Sequence, residues 1–206
     1  MTLAASNLSC IRQERCIFQG VDFSLSPGRV LWVKGPNGSG KSSLLRVLAC
    51  LLKPASGEFL WNGKSVGDDP MEYQREFSYI GHQDALKGSF SPRENLSFWS
   101  KYRGSSDVAE AITTFELDKI ADYPTQNLSA GQKKRSNLAR LLISNTPLWI
   151  LDEPISSLDS HYIDLFRSVL KKHIAAKGMA VLATHQDLGT GTEDILDISE
   201  YAGDLS

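Results

Sequence analysis

Gly35-Pro36-Asn37-Gly38-Ser39-Gly40-Lys41-Ser42 is the stretch on which the fold turns. It fits G-x-x-x-x-G-K-[ST], and chemistry explains the spacing. Glycines let successive backbone N–H groups curl around an anion, and a helix starting at the end of the loop points its positive end at the same place. Lys41 then reaches the β- and γ-phosphates of a nucleotide, the Ser42 hydroxyl can ligate Mg2+, and Ser43 completes the polar set at the helix start. The flanks supply the context this pattern needs. Val30-Leu31-Trp32-Val33 is a short apolar run of the kind a buried strand shows. Over residues 42–52, Leu44, Leu45, Leu48, Leu51 and Leu52 share one helical face, and Lys53-Pro54 ends the helix.

Further along, Leu148-Trp149-Ile150-Leu151-Asp152 is an apolar strand that ends in a carboxylate, followed by Glu153 and Pro154. By itself this is an acidic strand end facing solvent. Behind a phosphate-binding loop it divides into two tasks: Asp152 toward Mg2+, Glu153 toward the attacking water. Ser78-Tyr79-Ile80 predicts a strand ending near Gln83, residues 179–184 predict a third buried strand, and residues 161–177 a helix. Strand, glycine turn, helix, strand, helix, strand implies a parallel α/β core. The first thirty residues read as short strands and turns, with a turn at Pro27-Gly28, and Phe59-Leu60-Trp61 enters a hairpin turn at Asn62-Gly63. Residues 85–127 break into short helical pieces punctuated by Pro92, Gly104 and Pro124, and residues 128–144 hold a helix start and a helix.

The chain has 206 residues, 41 % of them apolar and 22 % charged, which suits one soluble domain with a sizeable core. A net charge of -2 offers no global field for nucleic acid or an acidic membrane. No apolar run reaches the roughly 18 residues of a membrane span, and the N-terminus lacks the pattern of a secretory signal. Cys10, Cys16 and Cys50 are an odd set without metal-ligand spacing, expected to be reduced thiols. Residues 186–206 leave no room for an added regulatory domain.

Leu128-Ser129-Ala130-Gly131-Gln132 is a capping box, S-x-x-Q, at a helix start. Lys133, Lys134 and Arg135 then crowd a first turn where cations oppose the helix macrodipole, an arrangement that an arriving γ-phosphate explains. This stretch resembles the signature sequence of the ABC transporter ATP-binding family. Other family elements follow in order: Gln83 at the Q-loop, Ser157-Leu158-Asp159 at the D-loop, and His185 at the switch position, although a lone histidine at a strand end is more often structural. The resemblance covers residues 8–188. It implies an α/β P-loop NTPase: a RecA-like parallel core with an N-terminal antiparallel β subdomain and a helical signature subdomain at about residues 85–145, within a single domain 1–206. It also implies ATP and Mg2+ as cofactors, and a dimer of two copies that sandwiches two nucleotides. Each site then takes residues 35–43, Gln83, Asp152, Glu153 and His185 from one chain and Ser129, Ala130, Gly131 and Gln132 from the other. In this assignment Glu153, His185 and Gln83 are catalytic, and Ser42, Gln83 and Asp152 face the metal. Two departures stand out. Ala130 stands where the signature usually carries a glycine. Arg12 falls where many relatives carry an adenine-stacking aromatic; its guanidinium can stack in that role. No N-K-x-D guanine-reading sequence is found.

Within the family the chain looks like the ATP-binding subunits of the haem exporter of c-type cytochrome maturation. Cys10-Ile11-Arg12-Gln13-Glu14-Arg15, Tyr79-Ile80-Gly81-His82-Gln83, residues 147–154 and Thr184-His185-Gln186 carry that likeness. It implies integral membrane subunits of the same system as partners, no nucleic acid, and a peripheral place on the cytoplasmic side of the inner membrane. Two alternatives are an ABC ATPase for another small substrate and a soluble, non-transport ABC protein. The absence of a second cassette, sustained heptads and basic excess speaks against the latter. His82 reads as structural rather than as a haem ligand. Phe90, Phe98, Trp99 and Tyr102 read either as a small local core or as part of a groove for a coupling helix of the membrane partner.

Overall fold

Parity along the strands decides how the layers stack. In the computed structural model, which describes residues 1–104 and 108–203, β3 (Val30–Lys34), β6 (Phe77–Ile80), β7 (Leu148–Asp152), β8 (Met179–Ala183) and β9 (Glu193–Asp197) form a parallel sheet in the order β6-β7-β8-β3-β9. Every residue of β7 and β8 is buried, as in a sheet covered on both faces. Leu31, Val33, Leu148, Ile150 and Val181 point to one face, and Val30, Trp149, Leu151, Ala180 and Leu182 to the other.

On the first face lies α1 (Lys41–Leu48), and beyond it an antiparallel sheet in the order β2-β1-β4-β5, built from β1 (Leu3–Arg12), β2 (Arg15–Leu25), β4 (Ser56–Trp61) and β5 (Lys64–Ser65). Leu44, Leu45 and Leu48 are fully buried between Leu3, Leu8, Phe18 and Phe59 of that sheet and Leu148 and Ile150 of the parallel one. Tyr73 of α2 (Pro70–Gln74) closes this core: its ring meets Phe59, Trp61 and Phe77, and its hydroxyl donates to the Leu48 carbonyl at 2.9 Å. The opposite face packs on α7 (Ser160–Ala175) through Phe166 and Leu170. It also packs on α3 (Pro92–Arg103), α4 (Val108–Thr114), α5 (Ala130–Leu138) and α6 (Arg140–Ser144) through Leu96, Ile112, Leu138 and Leu141. This is the P-loop NTPase architecture, with an antiparallel β subdomain and helices beside a parallel core. Residues 105–107, inside the 85–145 stretch, and 204–206, inside the 1–206 domain, lie outside the described residues.

Three expectations need correction, and one strand escaped the reading. The N-terminal strands are long, 10 and 11 residues, because bulges rather than turns absorb their polar residues; Asn7 sits in one with φ 48°. α1 stops at Leu48 instead of running to Leu52. Cys50 takes φ 55°, its N–H bonds the Val47 carbonyl and that of Leu51 the Arg46 carbonyl, a Schellman cap that leaves Leu51 63 % exposed. β6 ends at Ile80, so Gln83 lies in a connection rather than at a strand end. The edge strand β9 was not foreseen, since Glu193-Asp194-Ile195-Leu196-Asp197 carries the charge that edge strands use against aggregation. The hairpin at Asn62-Gly63 forms as read: Trp61 pairs with Lys64 and both turn residues are left-handed, φ 54° and 78°.

Gly57 faces the Asn7 bulge so closely that a Cβ would stand 2.1 Å from the Asn7 carbonyl oxygen, whereas one on Gly63 would meet nothing within 4 Å. Gly57→Ala is therefore expected to cost about 3 kcal/mol or more and Gly63→Ala about 1 kcal/mol, read from urea unfolding of the two variants side by side.

Candidate active site

The loop between β3 and α1 needs backbone that side chains oppose. Gly35, Gly38 and Gly40 have φ of 140°, 83° and 105°. A Cβ on Gly35 would stand 2.5 Å from Ser39 Oγ, and one on Gly40 2.8 Å from Ile17 Cγ2. The loop is thereby seated on β2. Lys41, 8 % exposed, donates from Nζ to the carbonyls of Gly35 at 2.8 Å and Pro36 at 2.9 Å. Those are neutral acceptors, and a phosphate oxygen would be a stronger one for the same ammonium.

At the start of α1, Ser42 Oγ donates to Asp152 Oδ1 at 3.0 Å, joining the helix to the end of β7. Asp152 is 1 % exposed, and its Oδ2 is buried with no hydrogen-bond partner among the described residues. A buried carboxylate oxygen left open is costly by itself. Beside a serine hydroxyl it is a hard-oxygen pair that fits Mg2+.

Glu153 follows with φ 49°, a conformation uncommon outside glycine. Three hydrogen bonds hold it there: its N–H donates to the Ala183 carbonyl at 2.8 Å, and the Ser156 N–H and hydroxyl donate to its own carbonyl. The carboxyl is half-buried, and burial pushes its pKa above the usual range. His185, Lys41 and His82 pull it down, and Asp152 adds to the rise. His185 Nε2 lies 3.0 Å from Asn37 Oδ1 and 3.7 Å from Glu153 Oε1. Trp32 Nε1 donates to the Thr184 carbonyl at 2.9 Å, which fixes the strand end just before His185.

Asn37, Lys41, Ser42, Asp152, Glu153 and His185 thus converge at the carboxyl ends of β3, β7 and β8. Gln83 and Arg12 do not join them. Gln83 is exposed and forms no hydrogen bond with Ser42 or Asp152. Arg12 is exposed at the tip of the β1–β2 hairpin, opposite Arg15. Ser129 and Gln132 form the expected reciprocal cap, at 2.9 and 3.3 Å. Ala130 is exposed, so its methyl costs nothing locally, whereas a Cβ on Gly131 would stand 2.9 Å from the Ser157 carbonyl oxygen. The departure from the signature falls on the tolerant glycine. The basic first turn needs a different reading from the one its charges suggested. Arg135 donates to the Phe115 and Glu116 carbonyls and lies 3.8 Å over the Tyr162 ring, and Lys134 is buried 3.4 Å from Asp84. Only Lys133 remains partly exposed, bonded to the Gln126 carbonyl. All three cations meet the protein's own acceptors, and two of them are buried in doing so. The Trp32 contact and the Asp84 pair carry no signal in the sequence, since each joins residues far apart in the chain.

A carboxyl whose pKa is higher in the folded chain than in the unfolded one costs stability as pH rises through it. Glu153→Gln is expected to raise the thermal midpoint at pH 8, with the gain vanishing at acid pH, measured by calorimetry across that range.

The pattern that describes ABC transporters matches residues 18–156. Cytochrome c biogenesis ATP-binding export protein CcmA of Rhodospirillum rubrum is 45 % identical over 205 residues, 98 % of this chain and 88 % of that protein. Its namesake in Paramagnetospirillum magneticum is 47 % identical over 207 residues, 98 % of this chain and 95 % of that one. Among solved structures, an ATP-binding subunit of an ABC transporter superposes with a TM-score of 0.85 at 23 % identity, covering 97 % of this chain and 87 % of that one. A dimeric ATP-binding cassette in a post-hydrolysis state, bound to ADP and Pi, gives 0.80 at 25 % identity, covering 96 % and 95 %. The chain belongs to the ABC transporter family, on the branch of its cytochrome c biogenesis ATP-binding proteins.

Proposed function

We propose that the chain hydrolyses ATP to drive a membrane export complex that serves c-type cytochrome biogenesis as its haem exporter. The observation that carries this is the Ser42–Asp152 contact with its open carboxylate oxygen, set between the glycine loop and Glu153. Residues 35–43 cradle the phosphates, and Lys41 exchanges its carbonyl partners for the β- and γ-oxygens. Ser42 and Asp152, joined by Gln83 if its loop closes on them, would hold Mg2+, which would neutralise charge on the phosphates. Glu153 orients water in line with the γ-phosphorus and accepts its proton as ADP leaves. Burial supports that role, since a raised pKa makes a better base. His185 turns from Asn37 toward the γ-phosphate. Arg12 stacks on the base.

Residues 129–132 belong to the site of a second copy. The capping box leaves Ser129 exposed at a helix N-terminus, where backbone N–H groups favour an anion. The whole of 1–206 acts as one domain, with about 85–145 as its helical unit. No helix among the described residues is long and apolar enough to cross a membrane. Membrane attachment therefore comes through integral membrane subunits, which place the chain peripherally on the cytoplasmic side of the inner membrane. The helical unit offers them a cleft of about 280 Å3 lined by Phe90, Phe98 and Trp99. Phe98 and Tyr102 are 56 % and 71 % exposed, which favours the groove reading for these two, while half-buried Trp99 also serves the local core.

Glu153→Gln is expected to retain ATP binding and lose at least about a hundredfold in kcat, and Lys41→Ala to lose ATP binding itself. Steady-state hydrolysis and equilibrium binding measure the two. Deletion of the gene is expected to abolish covalent c-type cytochromes on haem-stained gels; normal levels would refute the assignment to cytochrome biogenesis while leaving the ATPase intact.

A further inference from the structure

Asp84 follows Gln83 directly, and its side chain is held by α5. Oδ1 accepts from Asn137 Nδ2 at 3.1 Å and lies 3.4 Å from Lys134 Nζ. The Lys134 side chain is 4 % exposed, and its ammonium has no hydrogen-bond partner among the described residues. Among the described residues, Asp84 is thus the one carboxylate within ion-pair distance of the buried Lys134 ammonium. Stripping one partner from such a pair strands a charge, so the loop cannot leave α5 without a large penalty.

The contacts continue. Asn137 Oδ1 accepts from Arg140 NH1 at 2.8 Å, and the Arg140 guanidinium lies 3.9 Å over the Trp99 ring. Arg140 is poorly compensated: its Nε is buried with no hydrogen-bond partner among the described residues, and burial, with Arg103 nearby, pulls its pKa to about 10. The face of Trp99 is one of its few stabilising contacts. The same ring lines the cleft with Ala85 and Phe98, and meets Phe98 edge-on. A series of side chains therefore runs from the cleft to the residue beside Gln83, crossing the helix whose first turn is 130–132.

We propose that Asp84 is a positioning residue that locks the Gln83 loop to α5, so that an apolar segment of the membrane partner seated against Trp99 sets Gln83 and residues 129–132 as one body. This rests on the reading of the chain as the ATPase of a membrane complex. A merely structural pair would change stability and leave partner response alone; a joint changes the response.

The test uses Lys134→Met, Asp84→Asn and the double variant, each as the full chain alone and in complex with its membrane subunits. ATP affinity and the rate of the chain alone are expected to stay within about twofold. The increase in kcat brought by the membrane subunits is expected to fall about tenfold in each single variant, and no further in the double, because both changes remove one joint. Full partner response in folded Lys134→Met, or losses that multiply in the double, would overturn the joint and leave the ATPase reading standing. A wild-type complex without ATPase would sink that reading itself. Lys134→Met removes the cation instead of stranding it, which keeps the test decisive if Asp84→Asn does not fold.

Discussion

Ile17 occupies the space into which a side chain on residue 40 would project. This exclusion ties the antiparallel sheet to the phosphate loop, and much of the molecule follows from it. The loop can curl only because residue 40 is bare. The curl starts α1 at Lys41, and α1 is the layer that both sheets share. At its first turn Ser42 meets Asp152, which fixes the end of β7 against the loop. The glycine pattern is therefore a packing requirement as much as a phosphate-binding one.

Two adjacent carboxylates are given different work by their surroundings. Asp152 is sealed, bonded on one oxygen and open on the other. Glu153 is half-buried and turned by a positive φ out of the strand's alternation. In a regular strand neighbouring side chains point to opposite faces. The left-handed backbone at Glu153 overrides that rule, and the hydrogen bonds from Ser156 and to Ala183 offset its strain. Trp32 holds the Thr184 carbonyl just before His185, and Asn37 meets the His185 ring.

What the sequence revealed and what it hid divide along physical lines. The glycine loop, the apolar strands at 30–33 and 148–152, the capping box at Ser129 and the Asn62-Gly63 hairpin depend on neighbours within a few residues, so spacing exposes them. The end of α1 was hidden because Cys50 occupies a position where glycine is the usual signal. β9 was hidden because its charges mask a strand that pairs on one side only. The fate of Lys134 and Arg135 was hidden because their acceptors, Asp84 and the carbonyls at 115 and 116, come from other segments. Local patterns show which charges exist; tertiary contacts decide which of them are spent.

The floor of the phosphate loop has a bearing on how the chain is made. Ile198 lies 3.0 Å from the point a Cβ on Gly35 would occupy, and β9, just before it, is the outer neighbour of β3. These contacts join residues more than 160 positions apart. At about 5–20 residues per second, the ribosome emits Gly35 roughly ten to thirty seconds before its support. During that interval the motif is complete in sequence but unsupported in space. A nascent chain thus completes the support of its nucleotide cradle only once residues 193–198 have emerged, long after the glycine loop itself.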